Sequence, residues 1–434
     1  MSDRYEFDVL VVGGGPAGMA AACCAAEAAL RVAIADDNPA PGGQIWRGQH
    51  ASPSTAEAAL WYRRLKELSV QQLSGMCMFA QADARTLVAE TEKGLCVLSF
   101  RSLILATGAR ERFLPFPGWT LPNVMGAGGL QSLVKSGWNV HGRKVVVAGT
   151  GPLLLAVAAH LKQYGADLRL IAEQTSRRRL LPFTLGLCYQ SSKLKDALSL
   201  RRQLGSVHYL TGCWPVAAEG KHKLESVTLR QGGKTWSEPC DYLACGFHLV
   251  PNIELPALLG CAIEDGKVRV DDLQRTSVPA IYCAGEPTGI GGLELSLLEG
   301  QIAGYAAAGR LEAARRLFSQ RNKARRFASS LERAFALRSE LKQLPRPDTL
   351  VCRCEDVSLS RLREHSSWRA AKLLTRCGMG PCQGRVCGPA LEFVLDWKPE
   401  SVRPPVFPVR VESLVAAAAG KSSEAPLQQT RLRS

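Results

Sequence analysis

The chain contains two copies of one local pattern: an apolar strand, a glycine-rich turn, a helix, and a second strand that ends in an acidic residue. In the first copy the strand covers 7–12 and the turn covers 13–18. A second strand over 31–35 then ends at Asp36. A glycine turn between a strand and a helix is typical of a Rossmann-like dinucleotide-binding unit. The pattern therefore predicts an α/β fold with parallel sheets.

Each residue type in the first turn has a physical role in binding a dinucleotide. Gly13 permits a tight turn, Gly15 leaves room for a pyrophosphate, and Gly18 lets the helix pack closely on the strand. The N-terminus of the helix presents partial positive charge to the phosphates. Asp36 can accept hydrogen bonds from both hydroxyls of an adenosine ribose. The predicted binding residues are Gly13, Gly15, Pro16, Ala17, Gly18 and Asp36.

The second copy has a strand over 144–148, a turn over 149–154, and a strand over 167–172 that leads to Glu173. It follows the same order of elements, so the sequence predicts a second Rossmann-like unit. Two such units in one chain are typical of enzymes that carry two nucleotide sites.

The second turn departs from the first at one position. Leu154 stands where the first turn has Gly18, and a bulky residue there is expected to push the helix from the strand. Gly149 and Gly151 remain the predicted nucleotide contacts. Glu173 suits a ribose hydroxyl and repels a 2′-phosphate. The ligand stays open between NAD(H), another adenine nucleotide such as ATP, and none.

Three further motifs resemble those of flavoproteins with two dinucleotide domains. Residues 103–108 end in their Ala-Thr-Gly signature, and 281–286 are similar to their late flavin motif, with Glu286 where Asp is usual. Residues 42–47 lie where these proteins place backbone near the isoalloxazine. Together the motifs favour FAD over NAD at the first site. The predicted contacts are Gly43, Gln44, Thr107, Gly108, Gly285 and Glu286.

Cysteine is the least ordinary residue, with 15 in 434 residues. The length excludes a small secreted disulfide scaffold, and an odd number cannot pair completely. Ten cysteines between Cys23 and Cys283 are predicted to be packing residues. No Cys-x-x-Cys pair occurs in 1–300, which argues against a disulfide reductase. Five cysteines cluster within 36 residues: Cys352, Cys354, Cys377, Cys382 and Cys387.

Two close pairs, Cys352-x-Cys354 and Cys382-x-x-x-x-Cys387, suit a tetrahedral zinc ion or an iron–sulfur cluster. The glycines between 375 and 388 can offer backbone N–H groups to sulfide. This constellation resembles the [2Fe-2S] domain of bacterioferritin-associated ferredoxin. That resemblance implies Cys352, Cys354, Cys382 and Cys387 as ligands and Cys377 as a neighbour that does not ligate. Zinc and an unmetallated module remain the alternatives.

The net charge of +15 is concentrated in one stretch. Residues 310–346 hold eleven Lys and Arg against three Glu, with apolar residues at helical spacing, which predicts basic amphipathic connecting helices. No nucleic-acid partner is expected, since no interleaved aromatics accompany the charge. The N-terminal residues do not resemble a signal segment and no apolar run is long enough to span a membrane. These features predict a cytoplasmic protein and leave peripheral membrane association open.

From 5 to about 411 the chain resembles the FAD and iron–sulfur subunit of heteromeric amine and imino-acid dehydrogenases. This family includes subunits of opine oxidase, of D-hydroxyproline and dye-linked proline dehydrogenases, and of hydrogen cyanide synthase. The resemblance implies an oxidoreductase that takes electrons from a catalytic, amino-acid-oxidase-like flavoprotein partner and passes them through FAD and [2Fe-2S] to an acceptor. The donor would be an amino acid, an imino acid or an opine. The alternatives are a stand-alone NAD(P)H:acceptor reductase and a redox-sensing or scaffold protein.

The motifs predict two Rossmann-like domains and a small ferredoxin-like [2Fe-2S] domain. No histidine lies in a catalytic motif, and no catalytic residue is assigned. Glu294 and Glu299 are expected to cap a helix or to lie at the surface. The predicted parts are an FAD domain (1–140 and 246–309), a second nucleotide-binding-like domain (141–245), basic connecting helices (310–347), a [2Fe-2S] domain (348–412) and a flexible tail (413–434).

Overall fold

Both copies of the repeated pattern form parallel sheets, as predicted. The structure is a computed structural model and describes residues 3–187, 191–398 and 402–422. Cys188, one of the ten predicted packing cysteines, lies outside the described residues.

The elements up to the second glycine turn lead through the first sheet and into the second. In chain order they are β1 (Asp3–Val12), α1 (Pro16–Ala26), β2 (Val32–Asp36), α2 (Ala56–Glu67), β3 (Gln71–Ser74), β4 (Cys77–Asp83), β5 (Thr86–Thr91), β6 (Gly94–Leu105), β7 (Ala109–Glu111), β8 (Val124–Gly126), α3 (Ala127–Lys135) and β9 (Lys144–Thr150).

The next elements complete the second sheet and return to the first. They are α4 (Leu153–Gln163), β10 (Asp167–Glu173), α5 (Arg177–Leu187), α6 (Ser191–Leu204), β11 (His208–Thr211), β12 (Cys213–Glu219), β13 (Ser226–Gln231), β14 (Lys234–Pro239), β15 (Tyr242–Phe247), β16 (Leu249–Pro251), α7 (Glu254–Leu258), β17 (Ile263–Glu264), β18 (Lys267–Val268), β19 (Ile281–Cys283) and α8 (Gly292–Ala307).

Helices dominate the remaining elements. These elements are α9 (Leu311–Arg316), α10 (Phe318–Ala334), β20 (Leu350–Cys352), β21 (Val357–Ser358), α11 (Leu359–Arg363), α12 (Trp368–Thr375), α13 (Cys387–Leu395) and α14 (Val411–Ser422), with 3₁₀ turns at Glu286–Thr288 and Ser339–Gln343. The stretch predicted to be basic helices thus contains α9, α10 and a 3₁₀ turn. Helix α14 covers the first part of the predicted tail, and 423–434 lie outside the described residues.

The elements group into two units. Of the described residues, unit 1 contains 3–108, 252–321 and 402–422, and unit 2 contains 109–187, 191–251 and 322–398. The domain limits predicted from the sequence remain a proposal. The structure adds that β8 pairs in parallel with β15, so this strand belongs to the second sheet.

Unit 1 is built on a seven-stranded sheet with the order β3-β2-β1-β6-β5-β4, to which β19 is added beside β6. Strands β1, β2, β3, β6 and β19 are parallel, and β4 and β5 are antiparallel. Helix α1 is almost wholly buried, because its small side chains let it pack against the sheet and α8. Its close contact requires Gly18, where a Cβ would collide with the Gly13 carbonyl oxygen.

Unit 2 contains a parallel sheet with the order β11-β10-β9-β15-β8 and an antiparallel meander, β12-β13-β14. Leu154, at the start of α4, is fully buried in the core between this sheet and its helices. A Cβ on Gly246 of β15 would lie 3.2 Å from Leu154 Cδ2. The leucine that replaces the third glycine is therefore accommodated by a glycine on the neighbouring strand.

Residues 350–397, here called the cysteine module, complete unit 2. Strands β20 and β21 form a short antiparallel pair, and α11, α12 and α13 pack around it. Ser367 caps the start of α12, where its hydroxyl accepts a hydrogen bond from the Ala370 N–H at 3.2 Å, and the left-handed residue Arg376 follows the end of the helix. The module thus has its own small core, which includes Cys352, Cys377 and Cys387.

Within the described ranges, no helix is both long and apolar enough to cross a membrane.

We predict that Leu154→Ala lowers the free energy of unfolding of unit 2 by about 2–5 kcal/mol, because it leaves a cavity in a closed core. Leu153→Ala is the matched control, since Leu153 is the preceding residue of the same helix and is 37% exposed. Urea denaturation of both variants measures the difference. Equal losses would contradict the packing described for Leu154.

Candidate cofactor sites

The first glycine turn and the end of β2 form one hydrogen-bonded corner. Gly13 adopts φ +107°, which a tight turn at this position requires. The Asp36 carboxylate accepts from the Gly14 N–H and, at 2.7 Å each, from the backbone and side-chain N–H groups of Asn38. Asp36 remains half-buried, so its carboxylate is fixed but accessible at the carboxyl edge of the sheet.

The predicted loop at 42–47 lies directly above this turn. The Gly42 N–H donates to the Gly14 carbonyl oxygen at 2.7 Å, and a Cβ on Gly43 would lie 2.9 Å from the Gly15 Cα. The guanidinium of Arg47 donates to the Asn38 side chain at 3.1 Å, while its buried Nε has no hydrogen-bond partner among the described residues. The corner therefore contains a buried donor that a bound anion or carbonyl could satisfy.

The Ala-Thr-Gly turn is held from a distant part of unit 1. Thr107 Oγ1 donates to the Asn252 carbonyl oxygen at 2.7 Å, and the Asn252 side-chain amide donates to the Thr107 carbonyl oxygen at 2.8 Å. The Asn252 N–H also donates to the Gly108 carbonyl oxygen at 3.0 Å. Sequence analysis missed Asn252, because it lies 145 positions from its partner and belongs to no motif.

The late motif joins the same edge of the sheet through β19. Glu286 accepts from the Gly292 N–H at 3.0 Å through one carboxyl oxygen. The other oxygen is buried and has no partner within the described part of the chain. Burial raises the pKa of the Glu286 carboxyl to about 7, and the nearby charge of Glu299 adds to the rise.

The expectation that Glu299 caps a helix or lies at the surface is wrong, because this residue is buried and only 1% exposed. Its carboxylate accepts from the Gly285 N–H at 3.1 Å and from the Thr288 hydroxyl at 2.8 Å. Both bonds fix the late motif, so Glu299 is a positioning residue that its place inside α8 did not reveal.

These observations fit a bound flavin dinucleotide. Three parallel strands, β1, β6 and β19, end at one edge and carry the glycine turn, the Ala-Thr-Gly turn and the late motif there. The half-buried Asp36 and the buried carboxyl oxygen of Glu286 lie at this edge, and the buried Nε of Arg47 lies in the loop above it. Such groups can bind ribose and ribityl hydroxyls and a pyrophosphate.

The second glycine turn is arranged differently. Glu173 is fully buried, and its carboxylate accepts from Thr150 Oγ1 at 2.9 Å and from the Gly151 and Thr175 N–H groups at 2.8 Å each. The Tyr209 hydroxyl donates to it at 3.4 Å. A carboxylate offers about four acceptor positions. Glu173 therefore serves the protein's own donors and presents no accessible oxygen to a ribose.

The five clustered cysteines converge in the cysteine module. The sulfur atoms of Cys352, Cys377 and Cys387 lie within 4.8 Å of one another. Cys354 is exposed and hydrogen-bonds with Cys382, which also contacts Cys387. The hairpin β20–β21 supplies Cys352 and Cys354, the loop between α12 and α13 supplies Cys377 and Cys382, and α13 begins with Cys387. The fold thus brings the candidate metal ligands of segments 352–354 and 377–387 close together.

Hydrogen bonding between these thiols shifts their pKa values in opposite directions. Thiol donors from Cys377 and Cys387 lower the pKa of Cys352, and the Cys387 thiol lowers the pKa of Cys382. The pKa of Cys387, the main donor, is raised. A set of closely spaced sulfurs in which two favour the thiolate form fits the binding of a metal ion or cluster.

Glycines shape the loop that carries the last cysteines. Cβ atoms on Gly378, Gly384 and Gly388 would lie 3.0, 3.3 and 3.6 Å from the indole of Trp368. The six-membered ring of the indole therefore packs closely against the backbone of these glycines. Glu355 forms an ion pair with Arg376 at 2.8 Å beside the loop.

Two residues that precede the second sheet also contact the module. The Arg110 guanidinium donates to the Arg385 carbonyl oxygen at 3.1 Å, between Cys382 and Cys387. The Trp119 indole N–H donates to the Leu350 carbonyl oxygen at 2.6 Å. These contacts span 275 and 231 positions, so no local pattern could have indicated them.

Comparison with known proteins gives the family. The model of the pyridine nucleotide-disulphide oxidoreductase family matches residues 7–312. The chain belongs to this family. Its members are flavin-dependent oxidoreductases that have two Rossmann-like units, so the predicted α/β fold is confirmed.

Within the family, this oxidoreductase is similar to subunits of heteromeric enzymes. It is 31% identical to one of the subunits of opine oxidase from Rhizobium meliloti, over 95% of this chain and 88% of the relative. It is 31% identical to the HcnB subunit of hydrogen cyanide synthase from Pseudomonas aeruginosa, over 87% and 90% of the two chains. The resemblance predicted from the motifs is therefore confirmed.

A solved structure extends the agreement in fold to nearly the whole chain. L-Proline dehydrogenase from P. horikoshii superposes with a TM-score of 0.70 at 20% identity, over 95% of this oxidoreductase and 80% of that chain. At this identity the match shows the shared fold.

We predict that Glu286→Gln makes the flavin-free protein more stable than the wild type as the pH rises from 4.5 to 7. The folded pKa is raised, so wild-type stability is fully present below the unfolded value and is lost as the pH rises through the folded one. The expected gain is on the order of 2–3 kcal/mol. Denaturant unfolding at both pH values measures it, with the exposed residue Glu294 as control in Glu294→Gln. A constant difference across pH would contradict the burial described for Glu286.

Proposed function

We propose that this chain is the FAD- and [2Fe-2S]-containing subunit of a heteromeric dehydrogenase or oxidase. Its donor is an amino acid, an imino acid such as proline or D-hydroxyproline, or an opine. A catalytic flavoprotein partner removes the hydride from the carbon beside the substrate nitrogen. This chain then relays the electrons to an acceptor. The similarity to subunits of opine oxidase and hydrogen cyanide synthase supports the assignment.

The observation that carries the proposal is the convergence of five cysteines in a member of a flavin-dependent oxidoreductase family. Among the described residues, the buried cysteines outside the module do not offer a redox dithiol. Burial raises the pKa of Cys23 to about 12 and that of Cys24 to about 11, and the pKa of Cys283 is also raised. Buried thiols with raised pKa values are poor nucleophiles. The cysteine module, by contrast, contains thiols whose pKa is lowered, those of Cys352 and Cys382.

The residues of the first unit would hold FAD at the carboxyl edge of its sheet. Backbone N–H groups of Gly15, Ala17 and the rest of the first turn of α1 would face the pyrophosphate. Pro16 has no N–H to donate, and it would contribute by fixing the start of the helix. Asp36 would accept the ribose hydroxyls. The proposed contacts also include Gly13, Gly18, Gly43, Gln44, Thr107, Gly108, Gly285 and Glu286.

The cysteine module would hold the cluster through Cys352, Cys354, Cys382 and Cys387. Cys377 lies among these sulfurs, and we propose that it does not ligate. The positive charges of Arg353, Arg376 and Arg385 would offset the negative charge of the thiolates. When bound, FAD accepts two electrons as hydride and [2Fe-2S] accepts one electron at a time.

We predict that Cys382→Ser abolishes the cluster, because it removes a ligand, whereas Cys377→Ser retains it. The two changes are matched, since both replace a sulfur of the same loop by oxygen. Iron and acid-labile sulfide content and the electron paramagnetic resonance signal of the reduced protein measure the outcome. Zinc in place of iron, or equal losses in both variants, would contradict the assignment.

The relay is tested with the native complex under anaerobic conditions. We expect an amine or imino-acid substrate to bleach the flavin absorption and then to produce the signal of a reduced cluster. The same substrate should leave the isolated chain oxidised, because the partner performs the dehydrogenation. Rapid bleaching of the isolated chain by NADH would instead indicate a stand-alone reductase. If no substrate reduced the complex, a scaffold or sensing role would replace the proposal.

A further inference from the structure

The carboxyl edge of the second parallel sheet is covered by residues 335–338, here called the covering segment. The Thr150 Oγ1, in the glycine turn, lies 3.2 Å from the Phe335 carbonyl oxygen. The imidazole Nε2 of His248, just after β15, lies 2.7 Å from the same oxygen. The side chain of Phe335 is only 5% exposed. The segment thus contacts the ends of β9 and β15.

The covering segment also closes the end of β10. The Gln174 side-chain amide donates to the Ala336 carbonyl oxygen at 3.3 Å and accepts from the Arg338 N–H at 3.1 Å. The guanidinium of Arg338 stacks over the Trp214 ring, 4.4 Å from its centroid. The Arg179 guanidinium donates to the Ala336 carbonyl oxygen at 3.4 Å. Backbone and side-chain contacts therefore join the segment to the ends of β9, β10 and β15, at the edge where dinucleotides bind in Rossmann-like folds.

The first unit provides an internal comparison for this edge. Its corresponding residues remain partly accessible, namely Gly13, Gly15, Asp36, Thr107 and Gly108. In the second unit, the turn residues Gly149, Thr150 and Gly151 and the residues Glu173, Gln174 and Thr175 at the end of β10 are buried, whereas Pro152 and Leu153 at the start of α4 are exposed. Two edges built from the same pattern thus differ in how accessible the glycine turn and the acid at the end of the second strand are.

We infer that the second Rossmann-like unit binds the chain's own covering segment in the place of a nucleotide. The unit then serves to fix the linker that leads from α10 into the cysteine module. NADH, NADPH or ATP could enter only by displacing the segment and breaking its hydrogen bonds. The apparent dissociation constant of a nucleotide equals its intrinsic value divided by the fraction of molecules in which the edge is open. Because the segment keeps that fraction small, these nucleotides are excluded.

The experiment uses the full chain with its cofactors as purified. Addition of NADH, NADPH or ATP in large excess is expected to leave the melting temperature unchanged, because a ligand of the folded state would raise it. In Gln174→Ala/Arg338→Ala, we expect amide hydrogen exchange at 335–338 to become about tenfold faster, since this variant removes two anchoring contacts.

Arg202→Ala is the matched control, because Arg202 is an exposed arginine of α6 in the same unit. Thr150→Val provides a second, smaller change that keeps the side-chain shape, and it should speed exchange in the same segment. A rise in melting temperature with any of the three nucleotides, or protection of the 149–151 amides by one of them, would overturn the inference. Unchanged exchange at 335–338 in both test variants would also overturn it. These measurements do not depend on electron transfer, so they stand apart from the relay test.

Discussion

Unit 1 depends on the backbone hydrogen bonds that strand β6 forms with its neighbouring strands. Strand β6 pairs with β1 from Asp3 to Val12, with β5 on its other side, and with β19 at its carboxyl end. These hydrogen bonds bring three turns, separated by nearly three hundred positions, to one edge of a sheet. None of the turns could form a cofactor site alone. The candidate flavin site is therefore a property of strand register more than of any single motif.

The electrostatic cost of burying a carboxylate explains why the acid at the end of the second strand has a different environment in the two units. In unit 1 the acid after the second strand keeps one face open to solvent, whereas Glu173 is desolvated and needs several donors to remain in the interior. Burial and the requirement for hydrogen bonds thus act together. Leu154 contributes through packing, since the helix start that would approach a phosphate also forms part of the core.

Periodicity and turn chemistry predicted much of this molecule. The two strand–turn–helix units, the flavin motifs and the clustering of the last cysteines all rest on local patterns, and those patterns have fixed physical causes. Asn252, Glu299, Arg110 and the covering segment could not be predicted in this way. Asn252, Arg110 and the covering segment contact partners far away in sequence, and Glu299 bonds to a backbone N–H and a hydroxyl outside its own helix, so no local pattern marks them. The proximity of Cys377 to its neighbours likewise depends on how the loop folds against Trp368.

The late position of β19 has a consequence for how the protein forms. During synthesis the residues from 109 to 251 emerge as one continuous block, which contains every strand of the second sheet. The first sheet, although it begins at residue 3, lacks β19 and the packing of α8 on α1 until about fifty residues later. During synthesis the first sheet is therefore completed after the second sheet. Until α8 has been synthesised, the apolar helix α1 lacks the helix against which it packs.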